Sequence, residues 1–539
     1  MWLLKINRNV QITFRFIHIL FIVIGHGIKN WFHGSTIRKI FDPKGRSRIS
    51  RHQRYRLLIE DLGPTFIKFG QILADRPDIV DERLCEELKK LQNSARPFDD
   101  DEAIEIVERE LGNNINNVFK EINRHHIASA SIAQVYRATL LNGEDVVIKV
   151  QRPGIKKVIE MDLTLMAILA KKIHRINPKM SSFNLEKFIE TFSEIMLKEL
   201  DFQHEMSNML RFTTIFREDD RCYIPKVYTQ YSTSKVLIME FINGYTPNSV
   251  SLLKAKGFST QKIAENGVHI ILTMILKHGF FHADPHPGNL FIRGNNQIVL
   301  IDHGMCGTLK PKQIDGLISF LLGFSEKNSK KITRSLLVLT ETKEVKNIDD
   351  IEFEINEIIK TYSIMSFKEI DIANVFNDVF KVLSKYGILI PANLYMIIKT
   401  IGTIQNFAEQ LGAKISLPAL IRPYARERIM ENYNFSKIKM SIWDLLNDYA
   451  YYFKEFPKDV RDIVTAIKKE KTDHIQAHHQ NGSGRKSVNY TPIILIALML
   501  FCSTLLIVSE IKSGFITFFF VFSVILAGIV LIKTLFSRD

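Results

Sequence analysis

Two apolar periods alternate along this chain, and near its end both give way to unbroken apolar runs. Residues 51–122 carry apolar positions at helical spacing, and Pro64 in "GPTFIKFGQILADRPDIV" (63–80) suits the first position of a helix. From 123 the period shortens to two. "VYRATLLNGEDVVIKVQRPG" (135–154) holds two β-rich runs around "NGED", a hairpin signal. A long helix is expected over 184–212, with Phe188, Phe192, Ile195 and Met196 on one face. "CYIPKVYTQYSTSKVLIMEFING" (222–244) then reads as two more strands and a loop. Beyond 256 the pattern is helical except over 280–304. The chain is thus expected to be α+β, with a helical extension (1–122), a mixed lobe rich in strands (123–242) and a helical lobe (243–470).

The last segments are different in kind. Residues 471–489 are polar, with "NGSG", and read as a linker. "TPIILIALMLFCSTLLIVS" (491–509) and "GFITFFFVFSVILAGIVLI" (514–532) carry no charge, and each is long enough to span a bilayer as a helix. A transmembrane hairpin over 490–533 follows, with both ends on one side. Arg485, Lys486, Lys533 and Arg538 flank it and place those ends, and the large domain, in the cytoplasm. The N-terminal run "ITFRFIHILFIVIG" (12–25) is broken by Arg15 and His18 and is too short to span. An interfacial amphipathic helix is expected there, a helix docked on the protein being the alternative.

The net charge of +14 calls for an anionic partner. The hairpin already provides one in membrane lipid, anionic phospholipid in particular, so no nucleic-acid partner is expected. Cys85, Cys222, Cys306 and Cys502 are far apart and form no CxxC pair, which argues against a disulfide framework or a structural zinc site.

Residues 280–304, "FFHADPHPGNLFIRGNNQIVLIDHG", concentrate the candidate chemistry. Asp284 stands five residues before Asn289 in a Pro/Gly-rich loop, and Asp302 follows at a strand end before His303-Gly304. Asn289 and Asp302 are oxygen ligands of the kind Mg²⁺ accepts between phosphates, and Asp284 can take a proton or orient a nucleophile. This is the spacing of the kinase pattern H-R-D-x-x-x-x-N followed by D-F-G, with Ala283 and His303 at the variant positions. "VVIKV" supplies Lys149 for the nucleotide phosphates. The place of a glycine-rich loop is taken by Ala128, Ser129, Ala130 and Ser131, which leave room for phosphate but cannot adopt glycine-only backbone angles. "KELDFQHE" places Glu199, Asp201 and Glu205 on the expected long helix, Asp201 and Glu205 sharing a face. "IMEFING" (238–244) stands where an interlobe hinge belongs, so Met239, Glu240 and Phe241 are expected to offer backbone groups to adenine.

On these residues the sequence resembles the UbiB/AarF family of atypical kinase-like ATPases over roughly residues 50–420. The features that carry the resemblance are Lys68-Phe69-Gly70-Gln71, the Ala-rich loop 128–131, Glu199-Leu200-Asp201, and "HADPHPGN" with "IDHG". The resemblance implies a bilobal protein-kinase-like fold, ATP or ADP binding with Mg²⁺, and little phosphorylation of proteins. It implies that Lys149 pairs with Glu205, and that Lys68 and Gln71 fold over the site, where Lys68 meets Glu199 and Asp201. It also implies support of isoprenoid quinone biosynthesis, ubiquinone in particular, with quinone precursors and quinone-biosynthesis proteins as partners. Pro285 and His303 depart from the ubiquinone-linked members and look closer to the broad bacterial AarF branch. A ring of His303 facing Asp302 would alter metal affinity. Two other readings compete. His282, Asp284 and His303 fit on paper the two-histidine, one-carboxylate set of a non-haem iron oxygenase. A nucleotide-binding scaffold without catalysis is the other.

Overall fold

The computed structural model of the chain describes residues 2–26 and 50–432, apart from 75, 77–78, 92–96, 113–114, 177–184, 343–344, 346, 364–371 and 416. The linker expected at 471–489 and the membrane hairpin expected at 490–533 lie outside the described residues. Among the described residues no helix is long and apolar enough to cross a membrane.

The extension comprises α1 (Trp2–Gly25), α2 (Arg51–Leu62), α3 (Pro64–Leu73) and α4 (Glu82–Leu88). Pro64 takes the first turn of α3, where its missing N–H costs nothing. The charge that interrupts the apolar run of α1 is what docks it. Arg15 Nε lies 2.7 Å from Asp162 Oδ1, and the same guanidinium donates to Asp162 Oδ2 at 3.0 Å and to the Leu62 carbonyl at 2.9 Å. Thr65 completes the set by donating to Asp162 at 2.7 Å. Asp162 is fully buried on α6 (Ile155–Ile176), so this pair works in a site of low dielectric. Of the two expectations for the N-terminal run, the docked helix is the one observed. Its other face stays outside, with Phe14 and Phe21 68% and 67% exposed.

The first lobe is a five-stranded antiparallel sheet of β1 (Phe119–Ile122), β2 (Ala128–Ser129), β3 (Ala133–Leu140), β4 (Asp145–Gln151) and β6 (Val236–Glu240), in the order β1-β3-β4-β6 with β2 also on β3. The two-residue period of β4 separates its faces. Val146, Ile148 and Val150 pack with Ala103, Ile106 and Val107 of α5 (Asp100–Glu110), while Val147 and Lys149 face the cleft between the lobes. Because α5 and β1 share this core, the lobe begins ahead of the expected boundary at 122/123.

The helix expected over 184–212 is two helices, α7 (Leu185–Glu199) and α8 (Phe202–Ile215). Asp201 causes the break. It adopts an extended conformation and caps α8, its carboxylate accepting from Gln203 N at 3.0 Å, while Phe202 N is drawn to the Ser234 carbonyl at 3.1 Å. The expectation that Asp201 and Glu205 share a helix face therefore fails.

The second lobe starts with β5 (Cys222–Tyr223), which pairs in parallel with β9 (Gln297–Leu300); β9 pairs with β8 (Leu290–Arg293). β5 thus belongs with the helical lobe and not with the sheet before it. α9 (Val250–Ala255), α10 (Thr260–Leu272) and β7 (Phe280–His282) precede this hairpin, and β10 (Cys306–Thr308), paired with β7, follows it. Then come α11 (Pro311–Ser325), α12 (Ser329–Leu339), α13 (Ile348–Ser363), α14 (Ile372–Lys385), α15 (Ala392–Gln410) and α16 (Leu417–Asn432). One apolar core runs from the cleft face of the sheet through α7, α8, α10 and α15.

Candidate active site

A cavity of about 410 Å³ lies between the lobes, and it collects residues far apart in the sequence. Lys149 on β4, Glu205 on α8, Asp284 and Asn289 after β7, and Asp302 after β9 all line it. The Lys149 ammonium lies 2.8 Å and 2.9 Å from the two Glu205 oxygens and 3.6 Å from Asp302 Oδ1. Burial opposes the charge on Lys149, but Asp302 and then Glu205 outweigh it and raise the group above the usual lysine range. Burial also pushes the Glu205 carboxyl up to about 7, against the opposing pull of Lys149. The burial of Asp302 is only partial, 46% of its side chain being exposed. Lys149 and the Gly304 N–H, which donates to Asp302 Oδ1 at 3.0 Å, overcome it and hold this carboxyl far below its ordinary value.

The loop after β7 is held by its histidines, not for them. His282 Nδ1 accepts from Asp284 N at 3.1 Å, so the ring proton sits on Nε2, which donates to the Asp302 carbonyl. One neutral, buried ring therefore ties the Asp284 segment to the Asp302 segment. His286 Nδ1 accepts from Gly288 N at 3.0 Å and shapes the turn before Asn289. Asn289 Nδ2 donates to the Asp284 carbonyl at 3.2 Å, which leaves its amide oxygen as the group available to a cation.

His303 does not face Asp302. Its ring is fully buried, 5.4 Å between centroids from Phe212, and does not line the cavity. Among the described residues neither ring nitrogen has a hydrogen-bond partner, and burial lowers its pKa to about 3. The iron-oxygenase reading fails on this geometry. His282 spends both nitrogens on backbone groups and His303 points into the core. Among the described residues no cluster of three or more His, Cys, Asp and Glu could hold a metal ion. A magnesium ion bound between phosphates has smaller needs, and Asn289 with ionised Asp302 meets them.

The Ala-rich loop behaves as its composition requires. Ala128 and Ser129 form β2, Ala130 N donates to the Ala133 carbonyl at 2.8 Å, and none of residues 128–131 takes a positive φ. Ala128, Ala130 and Ser131 line the cavity; Ser129 does not. Glu240 and Phe241 also line it, with a correction to their role. The Glu240 N–H already donates to the Lys226 carbonyl at 2.8 Å, and the Phe241 N–H to the Asp145 carbonyl at 3.0 Å. Tyr223 and Lys226 N occupy the Glu240 carboxylate.

α3 closes one side. Lys68 Nζ lies 2.8 Å from Glu199 Oε1 and donates to Met305 Sδ at 3.6 Å. Asp201, expected beside it, is the cap of α8 instead. Gln71 does not line the cleft; its Nε2 donates to the Leu91 carbonyl at 3.4 Å, and it lines a neighbouring chamber. Gly70 lets α3 approach so closely: a Cβ there would stand 2.5 Å from Leu91 Cδ1 and 3.1 Å from Ile59.

Sequence reasoning missed Lys399 of α15. Its Nζ lies 3.1 Å from Asp284 Oδ1, and it leads the charges that, against burial, lower the Asp284 pKa. The signal was a lone lysine within the apolar run "YMIIKTIGTI".

Comparison with known proteins follows the same outline. The sequence matches the ABC1 atypical kinase-like domain over residues 90–336 and the UbiB helical domain over residues 355–416. It is 32% identical over 423 residues to the probable protein kinase UbiB of Pseudomonas fluorescens, covering 77% of each chain. It is 33% identical over 380 residues to the uncharacterized protein slr1919 of Synechocystis, covering 70% of this chain and 67% of that one. Among solved structures it is similar to that of Rv3197 with erythromycin from Mycobacterium tuberculosis, at 21% identity and a TM-score of 0.46, covering 68% of this chain and 93% of that one.

Proposed function

The chain belongs to the family of ABC1/UbiB atypical kinase-like proteins, and from that premise we propose that it is a Mg²⁺-dependent ATPase that supports isoprenoid quinone biosynthesis at a membrane. The observation that carries the reading is the placing of Lys149 against both Glu205 and Asp302 in the cavity that also holds Asp284 and Asn289. Glu205 holds the Lys149 ammonium where the α- and β-phosphates of ATP or ADP enter. Ala128, Ala130 and Ser131 roof the phosphates, and the hinge at 240–242 borders the adenine. Asn289 and Asp302 offer one amide oxygen and one ionised carboxylate to Mg²⁺. When bound, that ion neutralises phosphate charge and orients the terminal phosphoryl group. Asp284, kept ionised by Lys399, is the group that orients the attacking water or hydroxyl and takes its proton.

The Lys68–Glu199 pair lays α3 along the side of the cleft where an extended peptide would approach. That supports transfer to water or to a small acceptor over transfer to protein. Ubiquinone as the quinone concerned, and membrane-bound lipid precursors as what the protein mobilises, are carried by the family relationship. The two uncharged apolar runs at 491–509 and 514–532 support anchoring in a bacterial inner membrane rich in anionic phospholipid.

The test is ATP hydrolysis by the purified full chain with Mg²⁺ and anionic liposomes, alongside Asp302→Asn. The variant is expected to stay folded and lose at least 100-fold in turnover, on the order of other losses of transition-state charge stabilisation. Undiminished turnover in Asp302→Asn would remove the site assignment. Binding of nucleotide without hydrolysis by the native chain would favour the scaffold.

A further inference from the structure

Beside the nucleotide cleft lies a second chamber of about 800 Å³, roughly twice as large and assigned no role above. It sits among α3, α7, the loop 387–391 and α15, and its volume falls in the usual range for small-molecule sites. Its wall is mostly apolar, formed by side chains such as Ile72, Phe188, Phe192, Ile388 and Met396. The charged groups along it are of one sign with a single exception. Lys68, Arg76, Lys89, Lys187 and Lys399 line it, against the carboxylate of Asp284; Lys399 pairs with Asp284, and Lys68 and Lys187 pair with Glu199 and Glu190 at 2.8 Å and 2.7 Å. Arg76 is only 7% exposed and lies 4.1 Å from the Tyr395 ring centroid, a fixed guanidinium on the wall. Lys68, Asp284 and Met305 line both the chamber and the cleft, so the two spaces meet at Asp284.

We infer that this chamber binds an amphiphile with an apolar body and one anionic head, a carboxylate or a phosphate monoester. The apolar wall takes the body, and the excess of cations recognises the head. Desolvation of that wall strengthens the attraction, because charges on a low-dielectric surface are poorly screened. The helix that denies the cleft to a peptide is also one wall of the chamber. α3 therefore exchanges a protein-sized approach for a small-molecule one. A head drawn toward Lys399 competes with Asp284 for that ammonium. An occupied chamber is thereby coupled to the group that orients the nucleophile. The coupling rests on the role given to Asp284 above; the binding does not.

Binding is tested without nucleotide. The full chain, reconstituted in phosphatidylcholine vesicles, is dialysed to equilibrium against radiolabelled octanoate, octyl phosphate, octanol and octylamine, with protein-free vesicles as the blank. Octanoate or octyl phosphate is expected to bind at least tenfold more tightly than octanol or octylamine, and the tighter of the two identifies the head. Thr191→Trp, on the half-buried wall of α7, is expected to weaken octanoate binding by projecting an indole into the chamber. Lys89→Glu with Lys187→Glu, both at exposed positions, is expected to weaken the anions tenfold and leave octanol unchanged. Equal binding of all four probes, or full octanoate binding in Thr191→Trp, overturns the inference. Binding that survives while Asp302→Asn leaves hydrolysis intact removes only the nucleotide-site assignment; lost binding beside normal Asp302-dependent hydrolysis removes only the chamber.

Discussion

Lys399 and Asp284 form an ion pair of 3.1 Å that joins α15 to the loop after β7. The pair sets both the position and the charge state of the proposed catalytic carboxylate. Burial alone would raise the Asp284 pKa, and Lys399 is the largest of the charges that bring it below its ordinary value. Because the folded pKa is lowered, the ionised form persists above it and is lost as pH falls through it. In Lys399→Met the acid limb of the pH–rate profile for ATP hydrolysis should move to higher pH, with turnover at neutral pH reduced about tenfold or more. An acid limb that stays in place would show that Lys399 acts elsewhere.

The Lys149–Glu205 pair is buried on both sides, 12% and 4% of the side chains being exposed. Removing one partner strands the other, so Lys149→Met should cost about 3–5 kcal/mol of stability. Lys149→Met combined with Glu205→Leu should recover much of that loss while turnover stays abolished. Thermal unfolding of the two single variants and the double variant closes the cycle.

Gly70 carries the approach of α3 to α2 and Leu91. Gly70→Ala should destabilise by about 1–3 kcal/mol, the usual range for forcing a methyl group into a packed site. Leu91→Ala in the same chain should return part of it, since Leu91 Cδ1 is the nearest obstacle. Unfolding midpoints of the single and double variants measure this. An additive loss would mean that α3 shifts as a whole.

His303 fills the position of the phenylalanine in the kinase D-F-G pattern, and its ring sits where an apolar ring would do better. Both nitrogens are buried without a partner among the described residues, a cost of about 1–3 kcal/mol for such a group. His303→Phe should therefore raise the unfolding midpoint and keep hydrolysis within a few-fold of the native rate. A large loss of Mg²⁺-dependent turnover would instead give the imidazole a role at Asp302.

Much of this protein was legible in one dimension. The two-residue period of "DVVIKVQ" determined that Lys149 shares a face with Val147 and not with Ile148, because alternate side chains of a strand point to opposite sides. Loop spacing likewise determined that Asp284, Asn289 and Asp302 converge, since a short hairpin returns the chain to its starting point. What periodicity could not show was where a helix ends on account of a cap. Asp201 looked like a surface acid within a helix, and only the competing pull of Ser234 on Phe202 N made it a terminus. Nor could local pattern reveal partners supplied by distant elements. Arg15 against Asp162, Lys399 against Asp284, and the chamber walled by α3, α7 and α15 exist because packing brings apolar faces together and buried charges must then find counter-charges. The sequence by itself determined which side chains could do the chemistry; the tertiary structure decided which of them meet, since burial, not spacing, sets their partners.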